Sequence, residues 1–205
     1  MNKYEYELNK YIGKTFEEIE IILGKKYSKK NTGRKYLISK DLFQSHFNDI
    51  SNVLIKAPTI ITTNENVERL QYGISFPAFS MAKLVNEQWD NSTPKKQILG
   101  KEFLFFFWRL IEKNVGNNKY LLVKVKSWKF PESDEIELKK VWQRTIDEIN
   151  QKSFQFPKST ESIVSHVRPH ARNSKDYDVS ISNYNITKRC FWLNKQYITD
   201  KVYLN

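Results

Sequence analysis

The sequence predicts an α/β fold, a mixed β-sheet flanked by helices, and three observations carry that reading. The segment Glu102–Ile111 is almost wholly apolar and aromatic, as expected of a strand buried on both faces. Asp134–Asn150 repeats apolar residues at helical spacing, with Leu138, Val141, Trp142, Thr145, Ile146 and Ile149 sharing one face. Helical and strand-like patterns then interleave along all 205 residues, with no internal repeat and no linker-like stretch. That length suits a single domain, residues 1–205, whose core needs no staples.

Taken in order, Lys3–Ile12 places Tyr4, Leu8 and Tyr11 at helical spacing, and Gly13 closes the segment. Thr15-Phe16-Glu17-Glu18 is a capping box for a second helix ending at Gly24, with Phe16, Ile19, Ile22 and Leu23 as its core stripe. Lys25–Lys35 is a basic loop, readable either as solvated or as contacting phosphate. Tyr36–Phe47 reads as a third helix, and Asn52–Thr63 as a β-branched central strand. Gln71–Phe76 is a further strand and Ala78–Trp89 a helix. Lys119–Lys129 alternates Lys124, Lys126 and Trp128 with Val123, Val125 and Ser127, a half-exposed basic strand. Ser133 is the expected cap of the Asp134–Asn150 helix, with acids in its first turn. A polar excursion, Asp176–Ile186, precedes a Phe191-Trp192-Leu193 strand and a terminal helix from Gln196.

Lysine and arginine number 34 against 23 acids, a formal net charge of +11 that attracts polyanions. Such a field favours nucleic acid or an anionic membrane surface as partner, an RNA-binding or scaffold module being one reading. A single cysteine, Cys190, excludes an internal disulfide and a cysteine-based zinc cluster and suits a reducing cytoplasm. No signal-peptide pattern and no membrane-length apolar run is visible, so a cytoplasmic protein without a membrane partner is expected.

Two histidines and two arginines fall close together in Glu161–Asn173. There an alternating strand sets Ile163, Ser165 and Val167 against Val164, His166 and Arg168, and Pro169 is expected to end its ladder. His166, Arg168, His170, Arg172 and Asn173 are thereby delivered together at a strand end. Arginine can fork onto a phosphate or a guanine edge, and neutral histidine can donate or accept. Thr187–Lys195 follows, with Lys188 and Arg189 leading into an aromatic strand. These residues are the candidate DNA contacts, and Lys124 and Lys126 join them. His166 and His170 could also be read as metal ligands or general bases, but no third ligand lies within sequence reach.

The segments His166–Asn173 and Thr187–Ile198, with Met81–Asp90 and Lys101–Trp108 in the same order, resemble the MutH/Sau-type GATC restriction endonucleases. The likeness covers most of the chain, residues 1–30 more loosely, and is greatest to the family's non-catalytic C-terminal DNA-binding half. It implies a restriction-endonuclease-like, MutH-like core. It also implies that the chain binds GATC-type DNA as an allosteric effector domain, with a catalytic MutH-like domain or chain as its partner. The family cuts with an Asp, then Glu-x-Lys on the next strand. Lys56 matches the lysine, but Leu54 stands at the glutamate position and Phe47 at the aspartate position. Leucine cannot ligate magnesium. Binding itself calls for no cofactor. The rival is a magnesium-dependent endonuclease built from Asp41, Asp49 and Lys56, whereas Lys56 alone reads as a phosphate contact or a solvated lysine. The acids of Pro131–Lys139 mimic the signature, but they open an amphipathic helix, where the macrodipole favours them.

Overall fold

The computed structural model describes residues 2–28, 33–49, 51–113, 118–170 and 173–205. Its helices in chain order are α1 (Lys3–Leu8), α2 (Phe16–Leu23), α3 (Arg34–Gln44), α4 (Met81–Leu84), α5 (Glu135–Asn150) and α6 (Lys195–Ile198). Its strands are β1 (Val53–Lys56), β2 (Thr59–Thr62), β3 (Glu68–Leu70), β4 (Ile74–Ser75), β5 (Glu102–Glu112), β6 (Lys119–Lys129), β7 (Ser165–Pro169) and β8 (Arg189–Leu193). The protein is a mixed α/β structure. Two compact units interleave in sequence: Met1–Tyr72, Glu102–Lys129 and Ile198–Asn205 form the first, and Gly73–Lys101 with Phe130–Tyr197 the second.

The first unit is a mixed five-stranded sheet flanked by helices, and β5 is its axis. β6 pairs antiparallel with β5 from end to end, while β1 and β2 pair with it in parallel. The single strand expected over Asn52–Thr63 is thus two collinear pieces. Their register is unbroken, since Lys56 faces Phe105 and Thr59 faces Trp108. Pro58 interrupts the ladder because it has no N–H, yet its carbonyl still accepts the Trp108 N–H at 3.0 Å.

Alternation along β5 sends Leu104, Phe106 and Trp108 into a core with Leu8, Phe16, Ile38 and Leu42 of α1, α2 and α3. Phe103, Phe105 and Phe107 point the other way and stack at 5.8 and 5.5 Å, all fully buried. Each such side chain contributes roughly 1.5–3 kcal/mol of burial. The capping box at Thr15 is formed, and Gly24 closes α2 in the left-handed region at φ 62°. Ile22 departs from the expected stripe: it falls off the buried face and is 48% exposed.

The second unit is an antiparallel sheet in the order β4-β8-β7, with α5 contributing to its core. All six residues assigned to the apolar face of α5 are buried. Ser133 is not the cap. It lies in a preceding 3-10 turn and donates to the Asp134 carboxylate at 3.2 Å, and Asp134 holds the N-cap position. The helix expected over Ala78–Trp89 contracts to α4, because Gln88 turns extended before a separate 3-10 turn at Trp89–Asn91. The strand expected over Gln71–Phe76 shortens to β4. Gly73 precedes it against the Leu193 carbonyl, where a Cβ would collide with backbone. Among the described residues no helix is long and apolar enough to cross a membrane.

The first core contains one hydrogen bond that its stability depends on. The Trp108 indole N–H donates to Ser39 Oγ at 3.1 Å, and Ser39 in turn donates to the Lys35 carbonyl at 2.8 Å. Both side chains are fully buried. Ser39→Ala would leave the indole N–H unpaired, so urea denaturation should show a loss of about 1–3 kcal/mol with an unchanged m-value.

Candidate nucleic-acid interface

The antiparallel register of β7 and β8 places Ser165 opposite Leu193, His166 opposite Trp192, Val167 opposite Phe191, Arg168 opposite Cys190 and Pro169 opposite Arg189. The pleat then sorts the side chains. Val167 and Phe191 join Val141, Trp142 and Ile146 in the core of the second unit. His166 and Arg168 point to the opposite face, with Trp192.

Pro169 is the last residue of β7, but it does not end the pairing, because the His170 N–H still donates to the Lys188 carbonyl at 2.9 Å. The Val167 N–H points away from β8 and donates to Pro157 at 3.0 Å. Pro169, two residues on, has its nitrogen on that same outer side, where a missing donor costs the β8 ladder nothing.

Three residues of β7 and its extension gather on the Trp192 indole. The His166 ring lies 6.3 Å from it at an interplanar angle of 23°, and the His170 ring 6.4 Å away at 58°. The Arg168 guanidinium sits over the indole with Cζ at 5.5 Å from the centroid. Arg168 and His170 are exposed.

His166 differs from them, being only 4% exposed. Its Nδ1 meets Asn194 Oδ1, and Asn194 Nδ2 donates to the Ser162 carbonyl. A carbonyl can only accept, so the amide orientation is set, and Nδ1 must carry the ring proton. Nε2 is buried with no hydrogen-bonding partner among the described residues. Burial, and secondarily the Arg168 charge, hold this histidine below its ordinary pKa of 6.5 against the opposing Asn194 bond. It is a neutral, buried ring beside Trp192, not an outward-facing contact.

The remaining candidates separate. Arg189 is on the core side of β8, over Phe156 at 5.2 Å and with Nε buried, so it lies on the face opposite Arg168. Lys188 pairs with Asp176 at 2.6 Å. Asn173 forms a turn, its Oδ1 accepting the Lys175 N–H at 2.9 Å. Arg172 lies outside the described residues. In the first unit Lys124 is half-buried and donates to the Tyr203 carbonyl at 2.5 Å; burial and neighbouring Lys126 lower its pKa. Lys126 is likewise only partly exposed.

The two acids of the alternative metal set have hydrogen-bonding partners within the chain. Asp41 accepts from Lys25 Nζ at 2.8 Å and from the Tyr27 hydroxyl at 2.5 Å. Burial opposes its ionisation, but these two donors prevail and hold the carboxyl below its usual range. Asp49 is exposed and accepts the Ser51 N–H at 2.8 Å, which lowers its pKa. Lys56 ends β1, two residues after the hydrocarbon side chain of Leu54. Among the described residues no group of three or more His, Cys, Asp or Glu comes together to hold a metal.

No family model matches the chain. It is 25% identical over 169 residues to the type II restriction enzyme Sau3AI of Staphylococcus aureus, an alignment covering 71% of this chain and 33% of that enzyme. The chain is similar to a restriction enzyme. It spans about a third of that relative's length.

Several structural residues were not singled out from the sequence. Trp192 stood only as part of an aromatic strand, and its place beneath Arg168 follows from the β7–β8 register. Asn194 sets the His166 tautomer from 28 residues away. Asp178, read within a polar excursion, is buried and accepts the Met81 N–H at 2.8 Å and the Ser180 N–H at 2.9 Å, tying that excursion to α4.

A pH dependence follows from His166. Its folded pKa lies below the unfolded value, so its contribution to stability is complete above about pH 6.5 and is lost as the pH falls towards the folded pKa. His46, whose pKa is lowered by burial and then by Lys10, adds a second contribution of the same sign. Thermal unfolding from pH 7.5 down to about pH 5 should show a falling midpoint, and His166→Gln should flatten part of that slope and leave the His46 part.

Proposed function

We propose that residues 1–205 act as one MutH-like domain that binds double-stranded DNA at GATC-type sites, as the catalytically incomplete effector part of a cytoplasmic type II restriction system. A catalytic MutH-like domain or chain would be its partner. The observation that carries this reading is the exposed Arg168 guanidinium, held over Trp192 at the end of a paired strand, in a chain similar to a type II restriction enzyme. A preorganised arginine can fork onto the O6 and N7 of guanine, and His170 stands beside it on the same indole. His166, buried beside the same indole, is not itself a contact in this reading. Lys188, with its charge shared by Asp176, would serve phosphate, and so would Lys126.

Binding titrations on GATC and scrambled duplexes test the assignment. Affinity should fall steeply with salt, because each neutralised phosphate releases counterions. Arg168→Ala should cost about 1–3 kcal/mol on the GATC duplex and far less on the scrambled one. Equal losses on both would leave only a basic surface, and a flat salt response, or tighter binding to duplex RNA, would remove DNA as the partner.

Catalysis gives an independent check. With Leu54 and Phe47 at the positions the family reserves for acids, a GATC plasmid incubated with the chain and magnesium should be neither cut nor nicked. Magnesium-dependent cleavage by the unaltered chain would restore the Asp41–Asp49–Lys56 endonuclease reading.

A further inference from the structure

The geometry points to Trp192 as the specificity-determining positioning residue of this surface: it orients the Arg168 guanidinium for base reading and need not touch DNA itself. The inference rests on the DNA-binding reading and adds a residue to it. Arginine is a long side chain whose rotamer freedom is costly to freeze, and an exposed one ordinarily samples many directions. Arg168 carries no ion pair among the described residues, unlike Lys188 with Asp176, Arg109 with Glu68 or Arg34 with Glu20. What orders its head is the indole, whose ring centroid lies 5.5 Å from Cζ. A guanidinium held over a ring leaves its N–H groups free for a ligand edge, whereas a carboxylate partner would occupy part of the fork.

The indole is itself braced from both ends. His166 stacks against it from its buried position, held by Asn194 and Ser162, and His170 leans on it from the exposed end. The antiparallel register sets this arrangement, placing Trp192 directly across from His166 and diagonal to Arg168. Discrimination therefore depends on the Arg168–Trp192 pair, whereas binding strength on arbitrary duplex depends on lysines elsewhere.

The test measures the ratio of dissociation constants, scrambled over GATC duplex, for the unaltered chain, Trp192→Leu, Trp192→Phe, Arg168→Ala and the double variant Arg168→Ala/Trp192→Phe. Arg168→Ala should lower the ratio about tenfold or more, the scale of one bidentate base contact. Trp192→Leu should lower it nearly as far, and Trp192→Phe, which keeps a weaker ring, about two- to fivefold. In the double variant the phenylalanine should change the ratio no further than Arg168→Ala alone. Affinity for the scrambled duplex should hardly move throughout, which a general loss of structure would not permit. Phenylalanine keeps an aromatic ring at this position and removes less volume than a change to a smaller aliphatic residue, so this arm stands even if Trp192→Leu does not fold.

Spin relaxation of the Arg168 Nε in the free protein gives a readout independent of DNA. It should report a rigid side chain in the unaltered protein and a mobile one in Trp192→Phe or Trp192→Leu. A mobile Arg168 Nε in the unaltered chain, or equal effects of Trp192→Phe on the two duplexes, overturns the inference. A rigid Nε in a chain that does not distinguish the duplexes overturns the GATC reading and leaves the indole as the platform of Arg168.

Discussion

The first unit depends on one constraint, the burial of β5 on both faces while both its edges are hydrogen-bonded. A strand with apolar side chains above and below can be stable only if every backbone donor and acceptor finds a partner, because an unpaired buried peptide group costs about as much as burying a large side chain gains. β6 supplies one full ladder, and the collinear β1 and β2 supply the other. Polar side chains are confined to the strand's ends, where they tie in outlying chain. Glu102 accepts from Asn2 and Ser127, Arg109 pairs with Glu68, and Glu112 pairs with Lys119. Glu68 also accepts from the Tyr203 hydroxyl, so the C-terminal segment is held on the same unit, and burial followed by that bond raises the Tyr203 pKa to about 12.

In the second unit the same pleat does a different job. β7 gives Val167 to the core and Arg168 to the exterior, so the packing that makes the strand rigid is continuous with the surface it presents. His166 lies between these roles. Its ring is apolar enough to be buried and stacks on Trp192, and its Nδ1–H is absorbed by Asn194. The chain from Ser162 through Asn194 and His166 to Trp192 therefore converts backbone order into the placement of one exposed guanidinium.

A net charge of +11 is a statement about the field of the chain and says little about which cations are free. Several of the basic side chains are committed within the protein. Arg34 is buried with Glu20 and over Phe16, Lys124 is bound to the Tyr203 carbonyl, and Lys188 is paired with Asp176. A partly exposed ion pair such as Lys188–Asp176 contributes little stability, about 0–1 kcal/mol, but it decides where charge is available. Arg168 combines exposure with an aromatic rather than an anionic neighbour.

What the sequence determined by itself was local and periodic. The capping box at Thr15, the left-handed stop at Gly24, the full extent of β6 and the six buried residues of α5 all follow from neighbours within a few residues, where spacing and backbone chemistry suffice. Tertiary structure alone decided what depends on pairing across the chain. The break at Pro58 and its preserved register needed β5, some 50 residues away. The burial of His166, the separation of Arg189 from Arg168 and the place of Trp192 beneath the guanidinium needed the alignment of β7 with β8. Alternation says that two sets of side chains face opposite ways, but only the partner strand and the packing against it say which set is covered.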